Sequence, residues 1–130
     1  MNDTIADMIT QIYNASQVRK ESVVLPYSKL KMSILDVLAK VGFIKSAVKK
    51  GKKIVKYIEI TLVYQTDGSP KIRGVKRISK SSKRVYMKAN EIRSVKNGYG
   101  IMVISTPKGV ISDETARKEK VGGEALCTLW

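Results

Sequence analysis

Apolar residues near the start of the chain recur at helical spacing. Ile5, Met8, Ile9, Ile12 and Tyr13 fall at i, i+3, i+4, i+7 and i+8, one face of a helix over about residues 4–16. Thr4, with Asp7 three residues later, resembles a capping box at its start. Val23-Val24-Leu25 ahead of Pro26 reads as a short strand. Ser28 is then placed to cap a second helix, in which Leu30, Ile34, Val37, Leu38 and Val41 repeat the spacing, and Gly42 is placed to end it. Two strands follow at about 43–49 and 54–64, joined across Lys50-Gly51-Lys52. In the second, Ile58, Ile60, Leu62 and Tyr64 alternate with Glu59, Thr61 and Val63, the pattern of a half-buried strand.

Gln65-Thr66-Asp67-Gly68-Ser69-Pro70 is polar and rich in turn residues, and it marks a boundary. Beyond it the pattern predicts short strands at about 72–79, 84–88, 100–106, 110–112 and 124–130, with brief helices near 93–97 and 113–119. Ile101-Met102-Val103-Ile104 is a continuous apolar run, as in a central strand covered on both faces. The predicted architecture is α+β: a helix–strand–helix–strand–strand half over 1–64, a linker at 65–70, and a mainly β half with short helices over 71–130. Each half is too small for a large core of its own, so the two are expected to pack together.

Composition narrows the chemistry. The 130 residues hold 25 Lys+Arg against 11 Asp+Glu, a formal charge of +14, and no histidine. Hydrophobic residues make up 43%, which argues for a folded protein and against a basic disordered tail. Without histidine there is no imidazole base, no Ser-His-Asp or Cys-His pair and no His-ligated metal. The single cysteine, Cys127, excludes an intrachain disulfide and a Cys-rich zinc site. No apolar run approaches the ~20 residues of a membrane helix, and the N-terminus lacks a signal-peptide pattern. The expectation is a compact cationic protein of a reducing compartment, without metal or cofactor, whose partner is a polyanion.

The charge is concentrated. Residues 45–56 carry Lys45, Lys49, Lys50, Lys52, Lys53 and Lys56 and no acid. Residues 71–96 carry ten cations against the single acid Glu91. Any one of these lysines can be a solvated surface residue, but the excess costs stability unless an anion relieves it. Ser105, Thr106, Asp113, Glu114 and Glu124 gather near the C-terminus, yet only lysine is available as a base to activate a hydroxyl. Gly98, Gly100 and Gly109 are too widely spaced for a phosphate-binding loop. Asp113 and Glu114 suit the first turn of a helix. A binding protein is therefore predicted, and not an enzyme. A DNA-binding regulator would want a basic recognition helix, whereas the most basic region here is predicted strand.

Ser105-Thr106-Pro107-Lys108-Gly109 is read as a turn offering hydroxyls and backbone groups at its tip to base edges, sugars and phosphates. Gly122-Gly123-Glu124 adds a closely approachable backbone and a carboxylate in cationic surroundings. That carboxylate can accept from a base amino group or orient a nearby arginine. Tyr86 shares a strand face with Arg84 and Lys88; it can stack on a base or simply pack in the sheet. Lys29 and Lys31 suit phosphate contact, which carries little sequence information.

The stretch from Gly100 through Val103-Ile104-Ser105-Thr106, Gly109-Val110-Ile111, Ala116 and Arg117 resembles the signature of the family of the eighth protein of the small ribosomal subunit. Gly122-Gly123-Glu124 and Trp130 fit it, as do Asn2-Asp3-Thr4-Ile5-Ala6-Asp7-Met8, Gly42-Phe43-Ile44 and Lys76-Arg77-Ile78-Ser79 in order and spacing. The resemblance covers essentially the whole chain. It implies a structural protein that binds a conserved stem in the central domain of small-subunit ribosomal RNA early in assembly and helps organise the platform. It also implies contacts with neighbouring ribosomal proteins, notably the fifth and the twelfth. The ribosome would be that of a bacterial cytoplasm, a plastid or a mitochondrion. Some bacterial members repress their own operon by binding a similar stem, which is the alternative function. The family's RNA-contacting loop maps onto Ser105 and Thr106, with its acidic partner at Glu124 beside Gly122 and Gly123. Many relatives carry serine where this chain has Pro107, so a hydroxyl and a backbone donor are missing there. Relatives also commonly have Arg-Ile-Arg-Asn in the first helix, where this chain reads Gln11-Ile12-Tyr13-Asn14.

Overall fold

A computed structural model of the chain describes residues 4–130; Asn2 and Asp3, which open the N-terminal part of the resemblance, lie outside them. The described residues form an α+β protein with three α-helices and two antiparallel sheets. Two compact units share the described residues, one spanning Asp7–Arg73 and the other Gly74–Trp130 with residues 4–6.

Helix α1 runs Thr4–Gln17. Its periodic residues Ile5, Met8, Ile9 and Ile12 are buried while Asp7 and Gln11 are exposed, as the spacing requires. Thr4 is itself helical, so the cap position falls outside the described residues. Strand β1 (Ser22–Pro26), helix α2 (Lys29–Val41) and strands β2 (Ile44–Gly51) and β3 (Lys56–Leu62) follow. The Ser28 hydroxyl accepts from the Lys31 N–H at 3.1 Å and starts α2, and the Gly42 N–H donates to the Leu38 carbonyl at 3.0 Å and ends it. The strands lie in the order β1-β3-β2. Ile58, Ile60 and Leu62 of the central strand are buried, as are Ile34, Leu35 and Leu38 of α2. The β2–β3 turn is longer than the sequence suggests. Gly51 pairs with Lys56, so residues 52–55 form the loop and β3 begins at 56 instead of 54.

The 65–70 segment is an ordered turn within the first unit. Tyr64 bridges to Pro70, the Gln65 N–H donates to the Ser69 carbonyl at 2.9 Å, and Asp67 accepts from the Ser69 N–H at 3.0 Å. The Ser69 hydroxyl, donating to the same Asp67 oxygen at 2.6 Å, is the main reason the Asp67 carboxyl sits below its ordinary range.

The second unit contains β4 (Val75–Arg77), β5 (Tyr86–Met87), β6 (Ile101–Thr106), β7 (Gly109–Ser112), α3 (Asp113–Glu119) and β8 (Gly123–Leu129). The sheet order is β4-β8-β6-β7, and β5 pairs with the start of β8 on the same edge as β4. One face packs Ile104 against Ile92 and Ala116, with Met87, Met102 and Ile111 around them. Helix α3 begins where the Ser112 hydroxyl accepts from the Thr115 N–H at 3.2 Å. Buried Asp113 accepts from the Met102 N–H at 3.1 Å and from Arg117 at 2.7 Å, which ties the helix to β6.

Two expectations are corrected here. The strand read at 72–79 pairs as a strand only over Val75–Arg77. The helix read near 93–97 is absent; two short 3-10 turns, Ala89–Glu91 and Lys96–Gly98, flank buried Ile92 instead. Lys96 and Asn97 adopt φ of +49° and +54°, which a right-handed helix cannot contain.

Candidate RNA interface

Strand register builds a polar row on the second unit's sheet. Tyr86 of β5 lies directly opposite Glu124 of β8, Glu124 opposite Ser105 of β6, and Ser105 opposite Val110 of β7. Directly paired residues share a face, and this is the face opposite to Ile104, Ala125 and Ile111. Tyr86 is 71% exposed, so ordinary packing does not explain the ring.

Glycine lets the strands come this close. A Cβ at Gly123 would collide with the Ser105 carbonyl, and one at Gly122 with the Met87 carbonyl and the Lys88 Cα. Only bare backbone fits between β5 and β6 at that level, which carries Glu124 into the middle of the row.

Glu124 is the electrostatic centre of this face. Its Oε2 accepts from the Ser79 hydroxyl at 2.5 Å and from Arg84 at 3.0 Å. Burial alone would raise its pKa. The Ser79 hydrogen bond, the Arg84 hydrogen bond and charge and the Arg77 charge together outweigh burial and hold the carboxyl below its ordinary value. Glu124 is therefore an anion at neutral pH, and its Oε1 makes no hydrogen bond to another described residue. Ser79 is fully buried and also accepts from the Val85 N–H at 3.2 Å, so it fixes both the carboxylate and the chain leading into β5. Sequence reasoning placed Ser79 in a matching motif but gave it no role. Its pairing with Glu124 spans 45 residues, which local spacing does not reveal.

The 105–109 turn behaves differently from its sequence reading. The Thr106 hydroxyl donates to the Gly109 carbonyl at 2.8 Å and accepts from the Lys108 N–H at 3.1 Å, and Thr106 is only 9% exposed. It closes the hairpin rather than standing at the tip, and it occupies backbone groups that the sequence reading left open. Ser105 is half-buried, and Pro107, Lys108 and Gly109 are exposed. Lys108 reaches Glu119 at 3.8 Å. A second small turn follows Ser79 directly: Lys80 and Lys83 exchange backbone hydrogen bonds of 2.9 and 3.0 Å, and Ser81 and Ser82 between them are exposed. Nothing in the sequence reading had singled it out, although Lys-Ser-Ser-Lys before a strand is a hairpin signal.

Arg84, Tyr86, Ser105, Gly122, Gly123 and Glu124 are thus brought together, with Thr106 and Pro107 at the end of β6. Exposed Lys88 follows β5 directly, and its N–H donates to Glu91 at 2.8 Å. Lys29 and Lys31 belong to the other unit, in the first turn of α2. Lys29 is exposed, whereas Lys31 is 9% exposed and offers little of its side chain to solvent. Lys71, Lys76, Lys80 and Lys83 are exposed and have no ion-pair partner among the described residues.

A fixed carboxylate with an oriented arginine, an exposed tyrosine and a hydroxyl on one sheet face give this small basic α+β protein a candidate binding face. The profile of the ribosomal protein S8 family matches residues 3–130. The chain is also similar to the small ribosomal subunit protein uS8 of Helicobacter pylori, 45% identical over 130 residues that cover all of this chain and 99% of the relative. It is similar at 45% to the protein of that name from Helicobacter acinonychis over 130 residues, and to that of Chloroflexus aggregans over 132 residues, covering 98% of the latter. The chain belongs to the ribosomal protein S8 family, a family of structural ribosomal proteins and not of enzymes.

Proposed function

We propose that this protein binds small-subunit ribosomal RNA directly, at a stem of the central domain, and helps assemble the platform of the subunit in a bacterial cytoplasm. The observation that carries the reading is the Tyr86–Glu124–Ser105 row. The ionised Glu124 spends one oxygen on Ser79 and Arg84 and keeps the other for an amino group on a base edge. Orienting Arg84 through Oε2 leaves Oε1 for the proposed base contact. Tyr86 supplies an aromatic surface for a base, and Arg84, Lys88 and the 80–83 turn supply cations for the flanking phosphates. The fifth and twelfth ribosomal proteins are the proposed protein neighbours, a reading supported by the resemblance and by family membership.

Titration of the cognate stem and an unrelated stem at one fixed salt concentration tests this. Glu124→Gln should weaken the cognate complex by about 1–3 kcal/mol and change the unrelated one far less, because one acceptor oxygen of a specific contact becomes a donor and the charge is lost. Tyr86→Phe should bind as the natural chain does, and Tyr86→Ala more weakly. Equal losses on both stems would sink recognition through this face.

A further inference from the structure

The β2–β3 turn does not behave like a loop made only to hold charge. Ile54 is 95% exposed and Val55 72% exposed, side by side at its tip. Lys52, Lys53 and Lys56 flank them in the chain, exposed and without an ion-pair partner among the described residues; Lys50 is held by Glu59 at 3.1 Å, and Lys49 lies over the Tyr27 ring at 4.4 Å. The entry to the turn is sterically tight. Gly51 has φ of +104°, and a Cβ there would collide with the Val55 carbonyl, so only glycine closes it. Single exposed aliphatic residues are ordinary, but an exposed aliphatic pair flanked on both sides by unpaired cations is a surface with two matched requirements.

We infer that the 52–55 turn is a docking tip for a neighbouring protein that offers an apolar depression rimmed by carboxylates. The inference rests on the reading that the chain works inside the small subunit, and it extends that reading to a second surface. Charge complementarity decides the rim: the unpaired lysines call for anions, and a chain of charge +14 does not meet that need with a second copy of itself. The aliphatic pair decides the floor. Ile and Val have no aromatic plane to stack on a base, and the shallow, hydroxyl-lined minor groove of an RNA helix offers no apolar slot. A protein surface supplies both, so these lysines meet carboxylates in place of the phosphates that the charge alone suggests.

The test uses small subunits assembled from purified RNA and the full set of subunit proteins. The double variant Ile54→Ser with Val55→Ser leaves every charge in place and touches no buried residue. Its affinity for the isolated RNA stem should stay within about twofold of the natural chain, while its retention in subunits washed at raised salt should fall about tenfold or more. Ile54→benzoylphenylalanine, irradiated in the assembled subunit, should yield an adduct with a protein peptide containing Asp or Glu. An adduct with nucleotides, or unchanged retention with no protein adduct, would overturn the inference. If the natural chain fails to bind the stem while retention still depends on Ile54, the RNA reading fails and this one stands.

Discussion

Two hairpin turns in this protein handle their polar and apolar groups in opposite ways. The β6–β7 turn satisfies itself: the Thr106 hydroxyl accepts from the Lys108 N–H and donates a hydrogen bond to the Gly109 carbonyl, and the Lys108 ammonium reaches Glu119. The β2–β3 turn leaves Ile54 and Val55 in water and three lysines without counter-ions among the described residues. The difference shows that a turn rich in hydroxyls is not necessarily the place where hydroxyls are offered. In the second unit the proposed recognition groups stand along the strands, in the Tyr86–Glu124–Ser105 row, and the turn joins two of those strands. In the first unit the turn itself is the exposed feature.

Glycine substitutions should separate the two turns most strongly. Gly51→Ala forces a Cβ into the Val55 carbonyl and should lower stability by about 2–3 kcal/mol, read from urea midpoints at unchanged slope. Gly109→Ala meets nothing within 4 Å and carries only the strain of a positive φ, so it should cost about 1 kcal/mol. Equal losses would remove the contrast.

Salt dependence gives the next effect. Lys80→Gln with Lys83→Gln should flatten the fall of log affinity for RNA with log salt by about 0.7–0.9 for each phosphate left without its cation. Lys52→Gln with Lys53→Gln should leave that slope unchanged. A change from the second pair alone would move RNA binding to the β2–β3 turn.

Thr106→Ala removes the hydroxyl that closes the β6–β7 turn and should destabilise the protein by about 1 kcal/mol. Ile54→Ser should stay within about 0.5 kcal/mol, since that side chain is already hydrated. Thermal melts of the two variants side by side decide this.

The smallest effect is in pH. Because the folded-state pKa of Glu124 lies below its unfolded value, its contribution is fully present above the ordinary glutamate range and is lost as pH falls through the depressed value. The stability gap between the natural chain and Glu124→Gln should therefore be constant near neutral pH and narrow on acidification. A gap that widens in acid would contradict the Ser79 and Arg84 geometry.

Helices α1 and α2 were legible because burial follows a strict 3.6-residue rhythm, and Ser28 and Gly42 mark the second one locally. The α+β class, the β6 core strand and α3 after Ser112 were legible for similar reasons. The 93–97 helix was misread because Lys96 and Asn97 take left-handed conformations that composition does not announce. For the candidate site, the sequence exposed the residue types at 84–88, 105–107 and 122–124. It could not show their register, because Tyr86 and Glu124 meet only through pairing of β5 with β8. The inward role of Thr106 was hidden too, since a hydroxyl reads the same whether it faces water or its own turn.

The position of β8 in its sheet also bears on the order in which the units form. This strand pairs with β4, β5 and β6, yet it follows all three in the sequence. The three strands of the first unit are complete by Leu62. During synthesis the first sheet can close while the second still lacks the strand that joins its parts, and β4 and β5 must wait with open edges until residues 123–129 emerge. The 71–96 segment that carries the waiting β4 and β5 holds ten cations against one acid, and like charge disfavours pairing between such open edges.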